Sequence, residues 1–209
     1  MDAVSAFKHG GVAVTSRPDA IDPDEIPKII FAARDPADVL AMVADTEPTW
    51  VFLLGGNAGE VLGASKLLSD RGFKVFVHVD MLHGITNDGE GIRLLANLGH
   101  PAGVITTHPS AVIAAKKVGL LAIERIFLLD SSSVDSGLRN VARTQPDAVE
   151  VLPGVLPDQI TTVVDAISVP LIAGGLITRI DQVTAALKAG ALGVSTSSGL
   201  LLAHAQGLA

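Results

Sequence analysis

The chain has 209 residues, 48% of them hydrophobic, with no cysteine and a formal net charge of −7. That length suffices for one domain with a large core, and the lack of cysteine excludes disulfides, thiol catalysis and Cys-ligated metals. The acidity excludes a bulk nucleic-acid binder. Most of the net charge lies in the first 50 residues, however, which leaves room for a local basic face. No apolar run approaches the roughly 18 residues needed to cross a bilayer. The ends carry no signal-peptide or anchor pattern, so a soluble, cytoplasmic protein without membrane contact is expected.

Residues 1–26 show no clear period and read as an irregular leader, a strand or cap over the floor of the domain. From Lys28 onward, short β-branched runs alternate with helical patterns, the signature of parallel βα units. Strands are expected at Lys28–Ala32, Trp50–Leu54, Lys74–Val79, Ala102–Thr106, Leu121–Ile126 and Ala148–Leu152. Two more end in Ala173-Gly174-Gly175-Leu176 and Gly193-Val194-Ser195-Thr196. Helices are expected from Asp35-Pro36 to about Ala44, then over about Glu60–Arg71, Gly89–Leu98 and Ser110–Lys117. A fifth runs from Asp130–Ser133 to about Arg143, and the last two cover Pro157–Ile167 and Ile180–Ala189. Eight such units, with no G-x-G-x-x-G turn after the first strand, argue for an α/β protein. The expected fold is a single (β/α)8 TIM barrel over residues 27–209. Gly55-Gly56-Asn57 reads as an ordinary βα turn, since no Gly-Lys-Ser/Thr closes it as a Walker loop.

In such a barrel the loops after strands seven and eight commonly hold phosphate. Glycine lets the backbone approach a ligand, and hydroxyls before a helix leave N–H groups facing outward. Gly174, Gly175, Thr196, Ser197 and Ser198 are therefore the candidate phosphate site, with Arg34, just past strand one, as a charge partner.

Polar residues near the other strand ends are candidates for the rest of the ligand: His78, Asp80, Arg125 and Glu150. Alternation puts His78 and Asp80 on one side of their strand and sets Glu124 opposite Arg125. Arg125, taken as the one facing the mouth, either meets a phosphate or bridges Glu150. His78 and Asp80 serve a ligand, act as an acid/base pair, hold a metal with help from Asp88, or simply pack and cap. His83, His100 and His204 read as surface residues, and Asp130-Ser131-Ser132-Ser133 as a helix N-cap. Neither a cofactor nor a resident metal is expected. Lys116 and Lys117 end one helix, and Arg139 and Arg143 share a face of the next. These four are the candidate RNA-contacting residues.

Several stretches resemble the glycerol-3-phosphate-responsive antiterminator family, the glycerol uptake operon antiterminators. They are Val75-Phe76-Val77-His78-Val79-Asp80-Met81-Leu82-His83-Gly84-Ile85 with Asn87-Asp88; Gly103-Val104-Ile105-Thr106-Thr107; and Ala122-Ile123-Glu124-Arg125-Ile126-Phe127-Leu128-Leu129-Asp130-Ser131-Ser132. Further matches are Gln145-Pro146-Asp147 with Glu150-Val151-Leu152-Pro153-Gly154, Ala173-Gly174-Gly175-Leu176-Ile177, and Ala191 to Ser197. The resemblance implies a barrel that binds glycerol 3-phosphate and, when liganded, acts on the leader mRNA of glycerol-use genes to prevent termination. It implies a regulator rather than an enzyme. The contrasting reading is a small-phosphometabolite enzyme on the same barrel, with His78, Asp80 and Glu150 as acid/base groups. The chain departs from the family at His108, where a basic residue is usual, and at Ser198-Gly199-Leu200-Leu201, where Asn-Lys and a Leu-Trp pair are usual. The sequence leaves a homo-oligomer open.

Overall fold

The computed structural model describes residues 20–206, so the leader expected over 1–26 lies outside the described residues up to position 19. Eight parallel strands close into a barrel: β1 (Ile29–Ala33), β2 (Trp50–Leu53), β3 (Lys74–His78), β4 (Gly103–Thr106), β5 (Leu121–Phe127), β6 (Ala148–Leu152), β7 (Leu171–Gly174) and β8 (Gly193–Thr196). Consecutive strands pair in parallel, and β8 returns to β1, with Ile30 opposite Ser195. Around them run α1 (Pro36–Met42), α2 (Ala58–Asp70), α3 (Gly89–Gly99), α4 (Pro109–Lys117), α5 (Ser131–Thr144), α6 (Pro157–Ala166), α7 (Ile180–Lys188) and α8 (Gly199–Gln206). This is the (β/α)8 barrel.

Local chemistry starts the helices. The carboxylates of Asp35, Asp88 and Asp130 accept N–H bonds at the starts of α1, α3 and α5, satisfying donors that a helix N-terminus leaves without partners. Asp88 is thus an exposed helix cap, and among the described residues there is no group of three or more His, Cys, Asp or Glu placed to hold a metal.

The strands present alternate residues to two separate cores. Val75 and Val77 pack outward against the helices, while Ile30, Phe52, Phe76, Ile105, Ile123 and Ile172 fill the barrel. Trp50 and Phe76 stack inside it with ring centroids 4.8 Å apart. Ile21 and Ile26, from the segment before β1, join the same interior cluster. The floor of the barrel is therefore buried and apolar.

Two local features differ from the sequence expectation, and one element had no bounds there. Asp80 does not end a strand; it lies in a 3-10 turn, Val79–Met81, that leaves β3. Gly56–Asn57 and Leu82–His83 form a two-residue parallel ribbon beside the barrel, so the turn after β2 is more than a tight bend. The chain after β8 is helical over Gly199–Gln206.

Candidate ligand-binding mouth

Above the apolar floor, the inward-facing layer at the C-terminal ends of the strands turns polar. On β5, Leu121 and Ile123 belong to the interior core, and Arg125, two residues on, continues that side. Glu124 faces out, under α5, where the Thr144 hydroxyl donates to its carboxylate at 2.5 Å. Burial pushes the Glu124 carboxyl up, against that bond and the nearby Arg143 charge.

Arg125 stands opposite Glu150 in the parallel register. Its Nε donates to Glu150 Oε2 at 2.8 Å, and its terminal nitrogen lies 2.7 Å from the same oxygen. The other carboxylate oxygen accepts from Ser195 Oγ at 2.6 Å. All three side chains are buried. A Cβ on Gly174 would collide with both Ser195 Oγ and Glu150 Oε1, so glycine there gives the triad its room. Ser195 was not singled out from the sequence. The signal was available: in a strand that begins at Gly193, positions 193 and 195 share one side and Thr196 takes the other. Thr196 accordingly points away from the interior. Its hydroxyl donates to Ile177 O at 2.7 Å and accepts from Ser198 N–H at 3.1 Å, which ties the seventh and eighth turns together.

Asp80 organises the opposite side of the mouth. It accepts four hydrogen bonds: from Thr106 Oγ1 (2.6 Å), Thr107 N–H (2.7 Å), Thr107 Oγ1 (2.8 Å) and Asn87 Nδ2 (3.2 Å). Burial raises its pKa, but these donors outweigh burial and hold the carboxyl below its ordinary value. Thr107 and Asn87 complete this network around Asp80, and the pattern of strand ends did not assign them. His78, the last residue of β3, is 4% exposed. Its Nε2 is 3.9 Å from Asp80 Oδ2, too far for a hydrogen bond, and both ring nitrogens are buried without a partner. Burial, reinforced by the Arg125 charge and opposed by Asp80, lowers its pKa to about 4. The ring is neutral at physiological pH.

The remaining candidates sit on the rim. Gly175 and Leu176 both adopt left-handed backbone, with φ of 75° and 61°. They swing the chain sharply off β7, at no steric cost for the glycine and at about 1–2 kcal/mol for the leucine. The N–H groups of Thr178 and Arg179, just before α7, are already taken by Gln182 Oε1. Ser197 and Ser198 lead directly into α8, where Leu201 N–H donates back to Ser198 O at 3.1 Å. Arg34 is exposed just past β1, the strand next to β8. A groove of 770 Å³ lies at the other end of the barrel, lined by Ile21, Pro146 and Ser168 among others, and shares no residue with the mouth.

Residues 29–201 match the family described as glycerol-3-phosphate responsive antiterminator. The chain belongs to that family. YgcP of Escherichia coli K12 is 34% identical over 170 residues, 81% of this chain and 88% of its own. The crystal structure of a glycerol uptake operon antiterminator regulatory protein from Listeria monocytogenes superposes with a TM-score of 0.77 at 33% identity, over 82% of this chain and 92% of that one. A glycerol uptake operon antiterminator-related protein from Thermotoga maritima gives 0.73 at 34% identity, over 84% and 98%.

In this antiterminator-family chain the four outer cations are not equivalent. Lys116 Nζ donates to Gln145 O and, at 3.3 Å, to Thr144 O. It caps the C-terminus of α5, where a cation is favoured by the helix dipole. Lys117, Arg139 and Arg143 lie on the outer face, with Arg139 bonded to Ser136 and Arg143 to Asn140. His108 precedes α4 at the mouth. No described helix is long and apolar enough to cross a membrane.

Proposed function

We propose that this protein binds glycerol 3-phosphate at the C-terminal mouth of its barrel and, when liganded, acts in the cytoplasm on a leader mRNA to prevent transcription termination. The single observation that carries the ligand reading is the polar inner layer of His78, Arg125, Glu150 and Ser195, set above an apolar core and beside the N-terminus of α8. The phosphate goes to the turns at Gly174-Gly175 and Thr196-Ser197-Ser198, with Arg34 nearby. The polyol goes beside His78, Arg125 and Glu150, while Asp80, with its four bonds filled within the protein, orders that side of the mouth. A regulator is favoured over an enzyme because two of the acid/base candidates are engaged: Asp80 is saturated by donors and Glu150 is ion-paired.

Ser198→Asp tests the phosphate end. A carboxylate at this position caps α8 in cis and repels an incoming anion. Titration calorimetry with sn-glycerol 3-phosphate is expected to show about hundredfold weaker binding, equivalent to two charge-assisted bonds at roughly 1.5 kcal/mol each. The melting midpoint should not fall. Unchanged affinity would remove the phosphate from these turns.

For RNA, Lys117, Arg139 and Arg143 remain after Lys116 is assigned to its cap. Three neutralised phosphates on single-stranded RNA give a slope of log affinity against log salt of about −2. Arg139→Glu with Arg143→Glu is expected to abolish leader-RNA binding in a filter assay and leave glycerol 3-phosphate titration unaltered. Full RNA binding by the double variant would place the contact elsewhere.

A further inference from the structure

One half of the barrel's mouth is apolar and uncovered. The helices of βα units start at the mouth, so side chains at strand ends and helix starts stand on its rim. Over the four strands from β5 to β8, six of these are large and exposed: Phe127, Leu129, Leu156, Leu176, Ile180 and Leu200. Leu129, Leu176 and Leu200 are 77%, 72% and 84% exposed. The turns that hold the six are tied together. Leu128 N–H donates to Leu152 O, Gly154 N–H to Gly174 O, and Thr196 Oγ1 to Ile177 O. On the half from β1 to β4, the exposed residues after the strands include Arg34, His83 and His108, and Met81 is the large apolar one among the described residues.

Single exposed leucines are ordinary, but a contiguous set of them marks a contact surface. The six leave roughly 600 Å² uncovered, the upper end for the largest patch on a monomer. Leu176 adds a second observation. Its backbone is left-handed, with φ of 61°, where a glycine would sit without strain. Its side chain stands out of the fold and gains little packing within it. A strained residue kept at the surface points to a contact made outside the chain. We infer that this half of the rim is a self-association surface, on which a second copy of the chain seats the same six residues about a two-fold axis.

The chemistry of the rim selects that occupant. RNA needs free cations, and Arg179, the cation of these turns, is held by both oxygens of Asp181. Asp130 is spent in capping α5. Asp158 lies in the first turn of α6, where the helix dipole favours a carboxylate. What remains is apolar area, and a two-fold partner brings the same area to cover it. Roughly 600 Å² of apolar surface with a polar fringe approaches the ~800 Å² that each partner gives to a standard interface. Because the patch takes one half of the rim, the axis lies to the side of the barrel. The half that carries Asp80 stays open to a ligand.

Sedimentation equilibrium of the full chain over about 1–100 µM is expected to reach twice the 21.4 kDa of one chain at the upper end. Leu176→Gln with Leu200→Gln takes two leucines from each copy and should raise the dissociation constant at least about hundredfold. Leu94→Gln with Leu98→Gln is the control, since those leucines are exposed on the outside of α3. That pair should leave the dimer as it is. Circular dichroism of both variants should match the parent, because exposed positions contribute little to folding.

One arm needs no variant and decides the matter if the rim variant loses its helical spectrum. Amide exchange in the parent should slow with rising concentration in peptides that contain Leu129, Leu176 and Leu200, and not in those of α3. A parent that stays monomeric throughout, a folded rim variant that dimerises as the parent does, or a dimer lost in the α3 variant would each overturn the inference. Flotation of a monomeric parent with phosphatidylcholine vesicles, abolished in the rim variant, would give the surface to lipid instead.

Discussion

Glu150→Ala is expected to destabilise the protein by about 3–5 kcal/mol, the usual cost of removing one partner of a buried ion pair. Arg125 would keep its charge in a site where the residue is 9% exposed, and Ser195 would lose its acceptor. For a chain of this size the melting midpoint should fall by roughly 10 °C. The pair as a whole need not be stabilising, because two charges lose their hydration on burial and their attraction only approximately repays that loss. Arg125→Met combined with Glu150→Leu should therefore recover most of the stability that Glu150→Ala loses. Urea unfolding of the parent, the single variant and the double variant separates the two statements. A cost below about 1 kcal/mol for Glu150→Ala is what an exposed pair gives, and it would mean that water screens the triad. A double variant as unstable as the single one would mean that the pair fixes the strand register rather than compensating its own charge.

The barrel was legible because its signal is repeated. Eight β-branched runs separated by helical periods leave few alternatives, and each strand lies within two residues of its expected bounds. The side of a strand was legible too: neighbours on a pleated strand face opposite ways, which separates Glu124 from Arg125 without any coordinates. What the sequence could not show are features set by two or more distant segments. The ribbon between Gly56–Asn57 and Leu82–His83 is two residues long, too short for any period. The bond of Lys116 to α5 depends on how α4 and α5 pack, and a Lys at a helix end looks the same whether it faces solvent or a neighbour's carbonyls. The donors on Asp80 come from separate segments, and only Thr106 stands at a strand end, where polar residues draw attention. Asp88 competes for attention as a carboxylate near the mouth, yet its spacing to Glu90 and Gly91 is that of a helix cap.

The second large effect is a loss of stability in mild acid that traces to His78. In the unfolded chain this imidazole takes its proton near 6.5; in the folded barrel, burial first and the Arg125 charge second lower that to about 4. Between those values the unfolded state binds more protons than the folded one, so stability falls as pH falls. Above about pH 7 neither state is protonated, and the group contributes no pH dependence. Across the window the loss accumulates to about 3 kcal/mol, at about 1.36 kcal/mol for each pH unit that separates the two values. Two carboxyls, the half-buried Asp80 and the buried Glu124, act on the same curve. Asp80, held below its ordinary value, adds to the acid loss at the low end of the range. Glu124, raised by burial, works the other way, since its folded form takes a proton before the unfolded one does. Both are present in the parent and in His78→Leu alike, so the difference between the two proteins isolates the histidine. Urea midpoints measured from about pH 7.5 to 4.5 should diverge below about pH 6.5, with His78→Leu keeping about 2–3 kcal/mol that the parent loses. Parallel curves would mean that the ring accepts its proton in the folded state as easily as in the unfolded one, and the neutral, unpartnered imidazole would have to be abandoned.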